Sequence, residues 1–213
     1  MKKGDKKKWQ KALKRRTESK LARQQGRAAG ATSALHHIRH ARDYPIEGCW
    51  AQKGWGKAGL AVVVVARRQP DRNIVFGTYL VDYYCLGLKD AYYNANIPPG
   101  QFRRDHLPKM LQGQPLSISP ALAHEIIYGA IEYAAQFGFR PHPDFKRAQY
   151  VLDPPDMHPR TGKVEFGKDG KPFYISGPYD NAEAIVRQLA RKVGEGNYHY
   201  MMQIDGPPPD EWD

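Results

Sequence analysis

The chain predicts an α+β fold: a largely antiparallel sheet, two well-marked amphipathic helices at about 119–137 and 181–193, and a basic N-terminal arm that is disordered or conditionally helical. Three observations carry that prediction. Two apolar runs of strand length, "GLAVVVVARR" and "NIVFGTYLVD", flank the turn sequence "QPDRN". Two later stretches repeat apolar residues at helical spacing between a capping residue and a glycine. Finally, the excess positive charge is confined to one end. Residues 1–42 hold 14 Lys+Arg against Asp5 and Glu18, a net +12, whereas residues 43–213 hold 19 basic and 20 acidic side chains, a net −1.

The arm comes first in the chain. Trp9, Leu13, Thr17 and Leu21 recur every four residues, so a helix there would show a thin apolar stripe on a basic surface. Like charges and so narrow a stripe cannot offset the cost of ordering, so the arm is expected to order only on a polyanion. "GRAAGATSA" then has the composition of a linker. In "HHIRH", His36 and His40 would share a helical face and offer a metal two ligands, but Arg39 and Arg42 would repel a cation. Phosphate-facing surface is the expectation there. The domain division that follows is arm and linker 1–42, one globular domain 43–204, and an acidic, proline-rich tail 205–213.

Along the body, "PIEGCWAQKGW" predicts a short strand and a loop. The continuously apolar "GLAVVVVARR" suits a strand covered on both faces. The returning strand puts Ile74, Phe76, Thr78, Leu80 and Asp82 on one side and Val75, Gly77, Tyr79 and Val81 on the other, which makes a central antiparallel hairpin. After Asp82 the period changes, and "KDAYYNA" is expected to continue as helix until Asn96 and "IPPG" stop it, with a further helical piece from about Gln101 to Leu111. Ser119 as N-cap and Pro120 at the first helical position open the first strong helix, whose stripe is Leu122, Ile126, Ala130, Tyr133 and Phe137 and whose end is Gly138. "QYVL" and "KVEFGKDGKPFYISG" are expected as strands, the second a hairpin about Asp169-Gly170. Asp180 and Glu183 stand at capping-box spacing before a helix whose Ile185, Val186, Leu189 and Val193 face inward and which Gly194 ends. "NYHYMMQID" closes as a strand.

No apolar run approaches the roughly 20 residues needed to cross a bilayer, and no apolar segment follows the basic start, so a cytoplasmic location is expected. Cys49 and Cys85 are too few for a disulfide scaffold and lack metal-ligand spacing, so two free thiols are expected.

Candidates for chemistry are scattered. Asp82 ends a strand, where a carboxylate either caps the following segment or binds Mg²⁺; Asp90, Glu125, Asp144 and Asp169 would have to converge on it for metal-assisted phosphoryl transfer. Lys89 would lie beside Cys85 on a helix, although Cys85 between Tyr84 and Leu86 has the setting of a small buried hydrophobe. His142 and Asp144 sit between prolines on a stiffened loop, and His124 offers a second imidazole. The "GKDGK" stretch lacks the spacing of a phosphate-binding loop. The tyrosine pairs Tyr83/Tyr84, Tyr92/Tyr93 and Tyr198/Tyr200 offer either core packing or a stacking platform for bases, the latter strengthened if exposed aromatics neighbour Arg67, Arg68 and Arg72.

The phrases "LVDYYCLGLKDA", "YAAQFGFRPHPDF" and "FGKDGKPFYISGPYDN" resemble those of a bacterial protein family without an assigned activity. The resemblance spans about residues 43–200 and implies no role for any residue.

The expected function is therefore that of a nucleic-acid-binding accessory protein, with RNA or a ribonucleoprotein favoured, that docks through Lys6, Lys7, Lys8, Lys11, Lys14, Arg15, Arg16, Lys20, Arg23, Arg27, Arg39 and Arg42. It needs no metal or cofactor and no membrane. Two alternatives stand beside it. One is a Mg²⁺-dependent nuclease or phosphotransferase drawing on Asp82, Lys89, Asp90, Glu125, His142 and Asp144; the other is a protein-interaction subunit of a larger complex.

Overall fold

The computed structural model describes residues 34–202. Of the predicted arm and linker, 1–42, residues 1–33 lie outside that range, as does the whole predicted tail 205–213.

The alternation of side chains along the two long apolar runs decides the architecture. Strand β1 (Ile46–Gln52), β2 (Leu60–Arg68), β3 (Ile74–Asp82) and β4 (Gly87–Ile97) form a meander. A short β5 (Pro115–Ile118) adds beside β1, giving the antiparallel order β4-β3-β2-β1-β5. The predicted hairpin holds along its whole length, from Leu60 opposite Asp82 to Arg68 opposite Ile74. Its turn works as the residues suggest: Asn73 N–H bonds Asp71 Oδ1 at 3.0 Å, and Arg72 takes a φ of 69°.

Because side chains alternate, β2 and β3 feed two separate cores. Val63, Val65, Val75, Tyr79 and Val81 face one side of the sheet, while Val64, Ala66, Ile74 and Phe76 face the other. The second face is covered by α1, which runs from Pro99–Gln101 through a π-turn at Phe102–His106 to Leu107–Met110. Phe102, Leu107 and Leu111 close that layer. The first face is covered by α2, comprising Pro120–His124, a π-turn at Glu125–Gly129 and Ala130–Gln136, and by the short α3 (Phe145–Ala148). Ser119 caps α2, its Oγ accepting from Leu122 N–H at 3.1 Å. Tyr79 is fully buried under α3 and donates to the Ala148 carbonyl at 2.8 Å; burying its ring contributes about 2–3 kcal/mol, and the hydrogen bond avoids the cost of an orphaned hydroxyl.

A satellite layer completes the body. The β6 strand (Phe173–Ile175) pairs in parallel with β7 (His199–Met201), with α4 (Ala182–Val193) between them in sequence. Leu189 is buried with Cys85, Phe137 and Tyr174, and Ile185, Val186 and Val193 pack against them. At the N-terminal end of the described residues, Ile38 and Ala41 are buried in the main core.

Four expectations need correction. The stretch "KDAYYNA" is not helical but the middle of β4, the edge strand. The cause is a tight turn: Tyr83–Leu86 reverse the chain, and Gly87 at a φ of 73° delivers it antiparallel to β3, along whose open edge eight residues find partners on β4. Pairing with that edge outweighs a weak helical pattern. "QYVL" is a 3₁₀ turn, Gln149–Val151, continuing α3. The Asp169-Gly170 turn forms as predicted, with both residues at positive φ, but its ladder is a single Lys168/Lys171 bridge, because Phe173–Ile175 pairs instead with β7. Finally, Asn181 rather than Asp180 caps α4, its side chain accepting from Ala184 N–H at 3.1 Å. The strand β5 had no counterpart in the sequence reading.

Candidate functional site

The three phrases singled out in the sequence converge on one open groove of about 620 Å³. Its construction starts at Asp82. That carboxylate is 5% exposed and its Oδ1 accepts from Tyr84 N–H at 3.0 Å and Cys85 N–H at 2.9 Å, fixing the turn between β3 and β4. Burial pushes its pKa up to about 6, against the opposing pull of those N–H groups and of Lys89. Asp82 thus caps a turn, not a helix. Beyond the turn, Leu86 and Leu88 enter the groove and Lys89 follows on β4.

The opposite wall is the loop after α2. Gly138 ends that helix and Phe139 N–H returns to the Ala134 carbonyl at 3.1 Å. The proline-flanked loop is then pinned to the sheet edge, where His142 N–H bonds the Leu88 carbonyl at 3.0 Å. The third wall comes from the start of α4. Asp180 Oδ2 accepts from Lys89 Nζ at 2.7 Å and from Gly177 N–H at 2.9 Å, while Ile185 adds an apolar face. The result is a floor of Leu86, Leu88, Phe139 and Ile185 below a rim carrying Arg140, His142 and Lys146. Arg140 and Lys146 are exposed and make no side-chain hydrogen bond or ion pair among the described residues. The groove offers unmatched positive charge over an apolar surface, which suits recognition of an anionic ligand with an apolar part.

Its titratable groups are not assembled for nucleophilic or two-metal chemistry. Cys85 is fully buried and burial drives its thiol far above the ordinary range, so the thiolate a nucleophile needs is suppressed. Lys89 is committed to Asp180. Asp90 and Asp144 are exposed on either side of His142, with carboxylate oxygens 3.7 and 3.8 Å from Nδ1, beyond hydrogen-bonding distance. Glu125 lies elsewhere: buried on α2, it accepts from Thr161 N–H at 2.8 Å, from Thr161 Oγ1 and from Gly162 N–H at 3.1 Å, and so anchors the 158–162 loop. Asp169 sits at the tip of its turn. Among the described residues no group of three or more His, Cys, Asp and Glu side chains is placed to hold a metal ion. The His36 and His40 rings do share a face, 4.4 Å apart, but among the described residues the further side-chain partner of His40 is Asp43 alone, at 3.1 Å.

A second surface lies at the open side of the β6/β7 pair. A cleft of about 320 Å³ is lined by Lys168, Asp169, Phe173, His199 and Tyr200. Lys168 Nζ stands 5.2 Å over the Phe173 ring, and Tyr200, half exposed, stacks on Tyr198 with ring centres 6.0 Å apart. This pair is stacked, with one ring exposed beside a cation; Tyr92 is equally exposed, and Tyr93 OH accepts from the exposed Arg147 at 3.3 Å. Tyr83 is buried instead, accepting from Gly59 N–H and donating to the Trp55 carbonyl.

Several predicted cations are committed to the fold. Arg67, 3% exposed, donates to the Tyr44 and Val151 carbonyls and to Asp153. Arg68 makes a bidentate pair with Glu47 at 2.7 and 2.6 Å. Arg42, assigned to nucleic-acid contact by the sequence, donates to the Leu152 and Gln149 carbonyls; Arg39 and Arg72 remain exposed. The Arg67–Asp153–His158 network has no counterpart among the sequence expectations. His158 Nε2 sits 2.8 Å from the second Asp153 oxygen, and these two partners hold the Asp153 pKa below its ordinary value despite burial. His124, whose pKa burial lowers, contacts the Pro154 carbonyl at 2.8 Å beside them. Only chain reversal across 86 residues brings Asp153 to Arg67, which is why no local pattern announced it.

Comparison with protein-family models, with curated proteins and with solved structures finds no match to this chain.

Proposed function

We propose that the protein is a non-catalytic nucleic-acid-binding factor, with RNA favoured over DNA, that docks through the cations of its N-terminal residues in the cytoplasm, alone or within a ribonucleoprotein. The observation that carries this reading is the separation of charge, +12 in residues 1–42 against −1 in the remainder. A dense cationic segment releases condensed counterions when it meets a phosphate backbone, which gives affinity without a folded recognition surface. The ledge of Lys168, Phe173, Tyr198 and Tyr200 supports the preference for unpaired RNA, because exposed rings beside a cation stack bases irrespective of sequence. A membrane is the weaker polyanion: no helix among the described residues is long and apolar enough to cross one, and the arm has too few apolar residues for a broad interfacial face.

The test keeps Ile38 and Ala41 in place, since both are core residues. In the full chain, the ten Lys and Arg between Lys6 and Arg27 are changed to Gln, and binding of parent and variant to a mixed-sequence single-stranded RNA and to duplex DNA is measured at 50 and 200 mM salt. The parent is expected to lose about a thousandfold in affinity across that range, and the variant to bind weakly at both. Equal and salt-insensitive affinities for parent and variant refute the proposal, and tighter binding to the duplex refutes the RNA preference.

A further inference from the structure

We infer that residues 203–213, "QIDGPPPDEWD", occupy the groove between β4, the 139–144 loop and α4, as an acidic strap that carries its own apolar anchor. The inference goes beyond nucleic-acid binding and does not depend on it.

The groove specifies its occupant by what is left unmatched. Lys89 already has Asp180, whereas Arg140 and Lys146 rim the half-buried Phe139 and Ile185 with no carboxylate partner among the described residues. A simple anion would answer the cations and leave the partly exposed Phe139 and Ile185 wet; a purely apolar peptide would do the reverse. The segment 203–213 has both parts. It contains Asp205, Asp210, Glu211 and Asp213 with no Lys or Arg, and Trp212 lies among the last three of those carboxylates. The charge balance of the body agrees. Residues 43–202 hold 19 Lys+Arg and 16 Asp+Glu, a net +3, and these four carboxylates alone bring the body to −1.

The topology delivers the segment to the correct place. β7 runs parallel to β6, so the chain leaves at the end where Ile175 faces Met201 and Ser176 N–H bonds the Met201 carbonyl at 2.9 Å. The residue after Ser176 is Gly177, whose N–H binds Asp180 Oδ2, and that oxygen holds Lys89 in the groove wall. An antiparallel β6/β7 pair would have sent the chain the other way, toward the Lys168 cleft. Eleven residues span up to about 36 Å when extended, which crosses the groove with slack. Pro207, Pro208 and Pro209 each fix φ, so less conformational entropy is lost on docking. Tethering supplies an effective concentration on the order of millimolar, so a modest intrinsic affinity suffices.

The experiment places a photoreactive benzoylphenylalanine at position 212 of the full chain, without nucleic acid, and maps crosslinks by mass spectrometry. Crosslinks are expected in the peptides containing Leu86–Lys89 and Phe139–Lys146, at a yield independent of protein concentration. Arg140→Glu with Lys146→Glu should lower that yield about tenfold while leaving the melting temperature unchanged, and Asp210→Lys with Glu211→Lys in that background should restore it. Crosslinks to residues 1–33, crosslinks between chains that grow with concentration, an absence of crosslinks to the groove, or a yield indifferent to the charge reversals would each overturn the inference.

Discussion

Replacing Asp82 by Asn should stabilise the protein at neutral pH and by much less in mild acid. Asn keeps the side-chain oxygen that accepts from Tyr84 and Cys85 N–H, while removing a charge that burial disfavours. The folded-state pKa is raised from 3.8 to about 6, so between those values the folded chain holds a proton that the unfolded chain has lost. Stability therefore falls as pH rises through that window, and the whole cost is present above about pH 6. Two pH units are worth roughly 3 kcal/mol, so the gain of the Asn variant over the parent should be about 1 kcal/mol at pH 4.5 and about 3 kcal/mol at pH 7.5. Urea denaturation of both proteins at the two pH values measures that difference, and taking the variant against the parent cancels every other titrating group. A difference that does not change with pH, or an Asn variant less stable than the parent at pH 7.5, would refute the assignment of Asp82 as a buried carboxylate whose task is to hold the turn.

Two further outcomes follow from the same region. Gly87→Ala should cost at least about 2 kcal/mol in urea denaturation, combining left-handed backbone strain with overpacking, since φ is 73° and a Cβ there would lie 2.8 Å from Ala134 Cβ and 3.0 Å from the Ala130 carbonyl; an unchanged midpoint would show that the turn tolerates another path. Both thiols should resist an aromatic disulfide reagent in the native protein at pH 8 and react fully in guanidinium, because both are buried, with Cys49 pushed up to about 12 and Cys85 higher still. Rapid native labelling of Cys85 would reopen the nucleophile reading.

The sequence alone determined those features whose cause is local. The hairpin of β2 and β3, both faces of each strand, the caps and glycine stops of α2 and the Asp169-Gly170 turn follow from side-chain alternation, capping hydroxyls and backbone permissiveness, which act within a few residues. Tertiary structure decided what depends on a partner remote in the chain. "KDAYYNA" became strand because the edge of β3 was available to it, and "QYVL" a 3₁₀ turn because the chain continued directly from α3. Asp180 left its helix to pair with Lys89, 91 residues away, and Arg67 was withdrawn from the surface by Asp153. The groove belongs to this second kind: its walls come from three separated stretches, so its mixture of apolar floor and unmatched cations exists only once the fold has joined them.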